Sequence, residues 1–144
     1  MMGAATVEDV YDGENLSRTG DVVVVSVNHR LNVEGFLDLS AYGEKYKDSF
    51  NQSTRDIIAS LEWIRDNISN FGGNPNNVTV FGQSGGAAKI LTLMGTPSSK
   101  GLFHKAILQS GATEDSGMTL TPQDTSRYVT ELTIRNLGIS PEEI

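Results

Sequence analysis

VTVFGQSGGAA, residues 78–88, is the stretch that decides the fold class of this sequence. The β-branched and aromatic run Val78–Phe81 predicts a strand, and the Ala- and Leu-rich run Ala87–Met94 predicts a helix. Between them stands a Gly-x-Ser-x-Gly pattern at 82–86, so the chain must reverse from strand to helix within very few residues. We expect the central serine to have φ above zero, with the flanking glycines relieving the crowding around the turn.

Ser84, the serine of this turn, is the candidate catalytic residue. A strand, Gly-x-Ser-x-Gly and a helix in this order form the setting of a nucleophile elbow, which exposes the serine hydroxyl above the end of a sheet. The amides at the start of the following helix, with Gly85 N–H foremost, can stabilise the oxyanion of a tetrahedral intermediate. The pentapeptide alone also fits a glycine-rich turn with an incidental serine, and its position between strand and helix favours the catalytic interpretation.

Phosphate binding is the other common use of a glycine-rich turn between strand and helix. The dinucleotide pattern G-x-G-x-x-G is absent, because Ser84 stands where the second glycine belongs. No Gly-Lys-Ser/Thr sequence completes a phosphate-binding loop either. Nucleotide binding is therefore disfavoured.

The remaining sequence alternates short apolar runs with longer amphipathic stretches. Val22–Val27 reads VVVVSV, as in a strand buried on both faces, and Lys105–Gln109 predicts a further short strand. Ser53–Asn70 predicts a helix capped by its first residue, and another helix is expected to begin at Thr121 and to end at Gly138. Strands alternating with helices predict an α/β fold of three layers, α/β/α, with a mostly parallel sheet.

Composition excludes several functional classes. The 144 residues suffice for one domain, and the formal net charge of −7 disfavours nucleic acid as a partner. With no cysteine and two histidines, a cysteine-based zinc site is excluded, and the histidines are too few for a histidine-rich metal centre.

No apolar run approaches the roughly 20 residues that span a bilayer. Residues 1–8 lack the pattern of a signal peptide. Compartment and oligomeric state stay open.

Several further motifs extend the match around Ser84. Together with residues 67–86, they comprise Asn28–Leu31, Gly35–Leu37, Gly101–Ile107 and Gln109–Gly111. In these motifs, and over roughly residues 11–140, the chain closely resembles the type-B carboxylesterases, the family of bacterial para-nitrobenzyl esterases and cholinesterases.

The resemblance implies a partial α/β-hydrolase domain over residues 1–144 and hydrolysis of small-molecule carboxylic esters through an acyl-enzyme on Ser84. It makes Gly85 N–H one oxyanion donor, requires no cofactor, and gives Ser110 the part of a buried serine behind the catalytic acid. A non-catalytic relative that binds a protein partner is the alternative. Such relatives commonly lose the nucleophile, so the presence of Ser84 counts against it.

The catalytic partners of Ser84 are not found in this sequence. The fold's chain order is Ser, then Asp or Glu, then His. His104 is the only histidine after Ser84, and no acid lies between the two. The other oxyanion donor belongs to a loop expected ahead of Val22–Val27. We therefore expect an internal fragment that lacks the N-terminal strands and the C-terminal part, with poor stability and little activity alone.

Overall fold

The computed structural model describes residues 9–111 and 122–144. Two strands and five α-helices lie within these ranges. They are α1 (Glu14–Gly20), α2 (Asn32–Phe36), α3 (Gln52–Asn67), β1 (Thr79–Gln83), α4 (Gly85–Met94), β2 (Lys105–Gln109) and α5 (Gln123–Leu137). Short 3₁₀ turns join several of them. The chain divides into two compact units, one containing residues 9–29 and 54–111 and the other containing residues 30–53 and 122–144.

β1 and β2 form a parallel pair in the first unit. Thr79 lies opposite Lys105, and the register continues to Gln83 opposite Gln109. Parallel neighbours need a crossover connection, and here α4 connects them and contacts both strands. The predicted parallel arrangement is confirmed for this pair, and β2 has the bounds that the sequence predicts.

The core of the first unit lies between α3, α4 and the inner face of this pair. Apolar residues of α3 and of the turn after it recur every three or four positions, which places them on one side of the helix. The buried cluster comprises Ile58, Leu61, Ile64, Ile68, Leu93 and Leu102, with Val78 and Val80 packed against it. This burial holds α3 against the strand that leads to Ser84.

The opposite face of the strand pair is exposed in the described part of the chain. Phe81 and Ile107 face each other across the register and remain 56% and 52% exposed. Successive side chains of a strand alternate between faces, so these residues point away from the Val80 side.

The helix predicted over Ser53–Asn70 is present with shifted ends. α3 starts at Gln52 and passes at Ile68 into a 3₁₀ turn that ends at Phe71, where Gly72 adopts the left-handed conformation with φ 81°. The prediction of Ser53 as cap is wrong. A 3₁₀ turn over Ser49–Asn51 runs directly into the helix, which makes Ser53 its second residue and buries it fully.

The prediction of a strand over Val22–Val27 is also wrong. This segment has no regular secondary structure and joins no ladder, since the sheet of the described residues has two strands only. Val22, Val23 and Val25 are 40–46% exposed. A β-branched run favours an extended backbone, but a strand also needs a partner for its N–H and C=O groups.

The second unit is built around α5. Thr130 is buried, accepts a hydrogen bond from Asp38 N–H at 3.1 Å and donates one to Ser126 O at 3.0 Å. α5 ends at Leu137, and Gly138, the glycine that the sequence predicts to end it, is its C-cap with φ 69°. Thr121, its expected cap, lies outside the described residues.

Leu93→Ala is expected to lower the free energy of unfolding by about 2–5 kcal/mol, because a buried leucine leaves a cavity in the core. Leu93 is 1% exposed, whereas Leu91 on the same helix is 47% exposed. Leu91→Ala is the matched control and should cost less than about 1 kcal/mol. Urea unfolding followed by circular dichroism measures both, and equal losses would contradict this placement of the core.

Candidate active site

Ser84 occupies the reversal between β1 and α4. It directly follows the last residue of β1 and is the N-cap of α4, with φ 54° and ψ −116°. The positive φ expected from the sequence is therefore present. Such a backbone costs on the order of 1–3 kcal/mol for a residue with a Cβ and persists only where its surroundings enforce it. The side chain is half-buried.

Two hydrogen bonds hold the backbone of Ser84. Its N–H donates to Gln109 O at 2.8 Å, which adds one bond to the β1–β2 ladder beyond the last residue pair. Its carbonyl oxygen accepts from Ala88 N–H at 3.1 Å, which closes the first turn of α4. One bond fixes the serine to the neighbouring strand and the other fixes it to the helix.

Two glycines allow main chains to come close around this turn. A Cβ on Gly82 would lie 2.7 Å from the carbonyl carbon of Gly86, so Gly82 relieves crowding as expected. For Gly86 that expectation is wrong, because beyond its chain neighbours and the backbone of its own helix a Cβ there would meet no atom within 4 Å in the described structure. A Cβ on Gly111, just beyond β2, would overlap the carbonyl oxygen of Ser84. The motif does not reveal this last contact.

The start of α4 presents backbone amides next to Ser84. Ala88 N–H makes the first intrahelical bond, so the amides of Gly85, Gly86 and Ala87 precede it. The aligned peptides of a helix place partial positive charge at this end. An anion next to the N-terminus of α4 would therefore be stabilised. Gly85 N–H, the candidate oxyanion donor, belongs to the peptide that follows Ser84.

Lys89 is a charged residue of the site that sequence reasoning missed. Long helical side chains lean toward the helix N-terminus, and Lys89 Nζ reaches back to donate to Gly85 O at 3.4 Å. The side chain is half-buried, and burial lowers the pKa of its ammonium group. A cation early in a helix is disfavoured by the dipole. The sequence does show a lysine one helical turn after Gly85, and this spacing could have indicated the contact between Lys89 and Gly85 O.

His104 lies at the far end of β1 from Ser84. Its Nδ1 accepts a hydrogen bond from Val78 N–H at 3.1 Å, immediately before β1 begins. Ser84 lies six positions beyond Val78 along the chain, roughly 20 Å for an extended backbone at about 3.3 Å per residue. His104 therefore has a structural role next to the first residue of β1, and it is out of reach of the Ser84 hydroxyl.

Ser110 differs from what the resemblance implies. It follows β2 with φ 52° and is exposed rather than buried in this structure. Its position at the carboxyl end of β2 nevertheless brings it to the same edge of the sheet as Ser84, since parallel strands end at one edge.

Metal-binding clusters and membrane-spanning helices are both absent from residues 9–111 and 122–144. Within these ranges no three His, Asp or Glu side chains cluster as metal ligands would. No helix there is both long and apolar enough to cross a bilayer.

Comparison with known proteins assigns the family. Residues 1–140 match the Carboxylesterase family. The chain belongs to this family. It is 50% identical over 111 residues to the para-nitrobenzyl esterase of Bacillus subtilis and 42% identical over 124 residues to the acetylcholinesterase of Danio rerio. These matches cover 77% and 86% of the chain but only 22% and 19% of the relatives.

Solved structures of family members show the same fold. An esterase from Clostridium hathewayi matches with a TM-score of 0.89 and 50% identity, covering 99% of this chain and 28% of that one. A carboxylesterase of Geobacillus stearothermophilus matches with a TM-score of 0.91 and 40% identity, covering 97% and 29%. The fold is a partial α/β-hydrolase fold, and the chain spans about a fifth of the length of the curated relatives.

Lys89→Met is expected to stabilise the folded chain at pH 7. Burial penalises the charged ammonium group, and the penalty is present in full below the lowered pKa of the folded state. It disappears as the pH rises through that pKa toward the ordinary value of 10.5. The stability gain of the variant should therefore shrink over this range. Thermal unfolding between pH 7 and 10.5 measures it.

Lys100→Met is the matched control, since Lys100 is an exposed lysine of the same unit. If Lys89→Met destabilised the chain at pH 7, the hydrogen bond to Gly85 O would outweigh the cost of burial, and the expected sign would be refuted.

Proposed function

We propose that Ser84 is the nucleophile of a carboxylic ester hydrolase. The observation that supports this most is the backbone of Ser84, held at φ 54° between β1 and α4 by hydrogen bonds to Gln109 O and from Ala88 N–H. A strained non-glycine residue fixed from both sides is typical of a site where strain serves function. Membership of the carboxylesterase family supports the same chemistry.

The reaction would proceed through an acyl-enzyme. Ser84 Oγ attacks the ester carbonyl carbon while a base accepts its proton, and the carbonyl oxygen becomes an oxyanion. Gly85 N–H donates a hydrogen bond to this oxyanion. The carbon–oxygen bond to the alcohol then breaks, and the alcohol leaves with the proton. Water attacks the acyl group, the carboxylic acid departs, and Ser84 regains its proton.

The base and its acid partner are proposed to come from the rest of the complete protein. His104 is bound to Val78 N–H at the opposite end of β1, which argues against it as the base. The sequence after Ser84 also lacks an acid followed by a histidine. Because the chain spans 22% of the para-nitrobenzyl esterase of Bacillus subtilis, the complete enzyme would have ample sequence for both residues.

The proposed substrates are small-molecule carboxylic esters, and neither cofactor nor nucleic acid takes part. The net charge of −7 disfavours an anionic polymer as a partner. The similar esterase of Clostridium hathewayi is described as hydrolysing aliphatic aromatic polyesters. We therefore include an aromatic ester of this kind beside a short-chain nitrophenyl ester among the test substrates.

Ser84 of the complete protein is expected to react covalently with a fluorophosphonate probe, because the probe requires an activated serine hydroxyl. Ser84→Ala should abolish labelling and ester hydrolysis. Ser60→Ala is the matched control, since Ser60 Oγ is bonded to Asp56 O within α3. Peptide mapping of the labelled protein by mass spectrometry identifies the site. The 144-residue chain should react far more slowly.

Two outcomes would overturn the proposal. A folded complete protein that neither reacts with the probe nor hydrolyses either ester would favour a non-catalytic relative that binds a protein partner. Hydrolysis by the 144-residue chain at rates usual for enzymes would refute the assignment of the base to another part of the protein.

A further inference from the structure

Gly111 lies against the main chain of Ser84. It stands two residues after the end of β2, at the carboxyl edge of the strand pair where Ser84 follows β1. A Cβ added to Gly111 would overlap the carbonyl oxygen of Ser84 and would lie 2.9 Å from its carbonyl carbon and 3.1 Å from its Cα. The three nearest neighbours of such a Cβ are thus all backbone atoms of Ser84, which cannot move aside as a flexible side chain could.

The need for glycine at 111 arises from this contact rather than from its own backbone. The residues of the described structure with positive φ include Ser84 and Ser110, but Gly111 is not among them. An alanine could therefore adopt the backbone conformation of Gly111. What it could not do is occupy the space that Ser84 fills.

The end of β2 thus holds Ser84 in two ways. Gln109 O accepts the hydrogen bond from Ser84 N–H at 2.8 Å, and Gly111 packs against the Ser84 carbonyl group. The first contact fixes the peptide before Ser84, and the second limits the orientation of the peptide after it.

The peptide after Ser84 contains both the Ser84 carbonyl and Gly85 N–H. A peptide group is planar and rigid, so displacing its oxygen must also turn its N–H. We propose that Gly111 is a positioning residue that orients Gly85 N–H toward the oxyanion by setting the plane of the Ser84–Gly85 peptide. This inference rests on the proposed function of Ser84 and adds a determinant from the neighbouring strand.

Gly111→Ala in the complete protein is expected to lower kcat for a nitrophenyl ester roughly 100-fold, the usual size of a lost or misplaced oxyanion donor. KM should change little, because the altered contact acts on the transition state. Gly95→Ala is the matched control. Gly95 has φ −90°, and a Cβ there would lie 3.7 Å from Thr92 O, an ordinary contact. Its kinetics should equal those of the unchanged protein.

A second substrate separates positioning from loss of folded protein. In the matching thionoester, sulfur replaces the carbonyl oxygen and accepts hydrogen bonds weakly, so its hydrolysis depends less on Gly85 N–H. A misoriented donor should slow the ester much more than the thionoester. Partial unfolding would slow both by one factor, so the ratio of the two rates is informative even for a poorly stable variant.

The possible results distinguish the role of Gly111 from the proposed function of Ser84. Equal losses on both substrates, or an unchanged rate on the ester, would overturn the role of Gly111 while leaving Ser84 as nucleophile. If the unchanged complete protein hydrolysed no ester, the proposed function would fail, and the inference about Gly111 would fall with it.

Discussion

The hydrogen bond from Ser84 N–H to Gln109 O, 2.8 Å long, is the constraint on which the site depends. It extends the parallel ladder by one residue beyond the end of β1. Immediately afterwards Ala88 N–H binds Ser84 O and starts the helix. The strained φ of 54° is thus confined between two bonds that belong to different elements. Either bond alone would fix one of the two peptide groups that flank Ser84 and leave the other free to turn about φ and ψ.

This constraint is only as firm as the sheet that supports it, and two strands alone are marginal in water. Burial supplies the missing support, since Val78 and Val80 pack against a cluster formed by α3, Leu93 and Leu102. Leu93 belongs to α4, so the same cluster holds the strand before Ser84 and the helix after it. Apolar contacts therefore support both of the elements that hold the strained turn.

Local sequence patterns predicted the elements that carry the site. β2 has the predicted bounds, and α4 begins at Gly85 rather than at Ala87, because the glycines of the motif already form its first turn. Both depend on patterns within a few residues. The segment Val22–Val27 has the strongest strand composition in the chain and is no strand, because pairing depends on a partner elsewhere. Composition favours an extended backbone but cannot supply a hydrogen-bonded neighbour.

The glycines around Ser84 show why the rest of the site could not be predicted. Gly86 belongs to the recognisable motif, yet a Cβ there would meet no other described residue within 4 Å beyond its chain neighbours and the backbone of its own helix. Gly111 belongs to the Gln109–Gly111 motif, but the sequence does not reveal that a Cβ there would collide with the backbone of Ser84. The space around a glycine is a property of the folded chain. Lys89 illustrates the same limit, because its contact with Gly85 O follows from helical spacing, whereas its partial burial follows from packing. A motif locates the nucleophile, but the residues that hold it are defined by which main chains lie side by side.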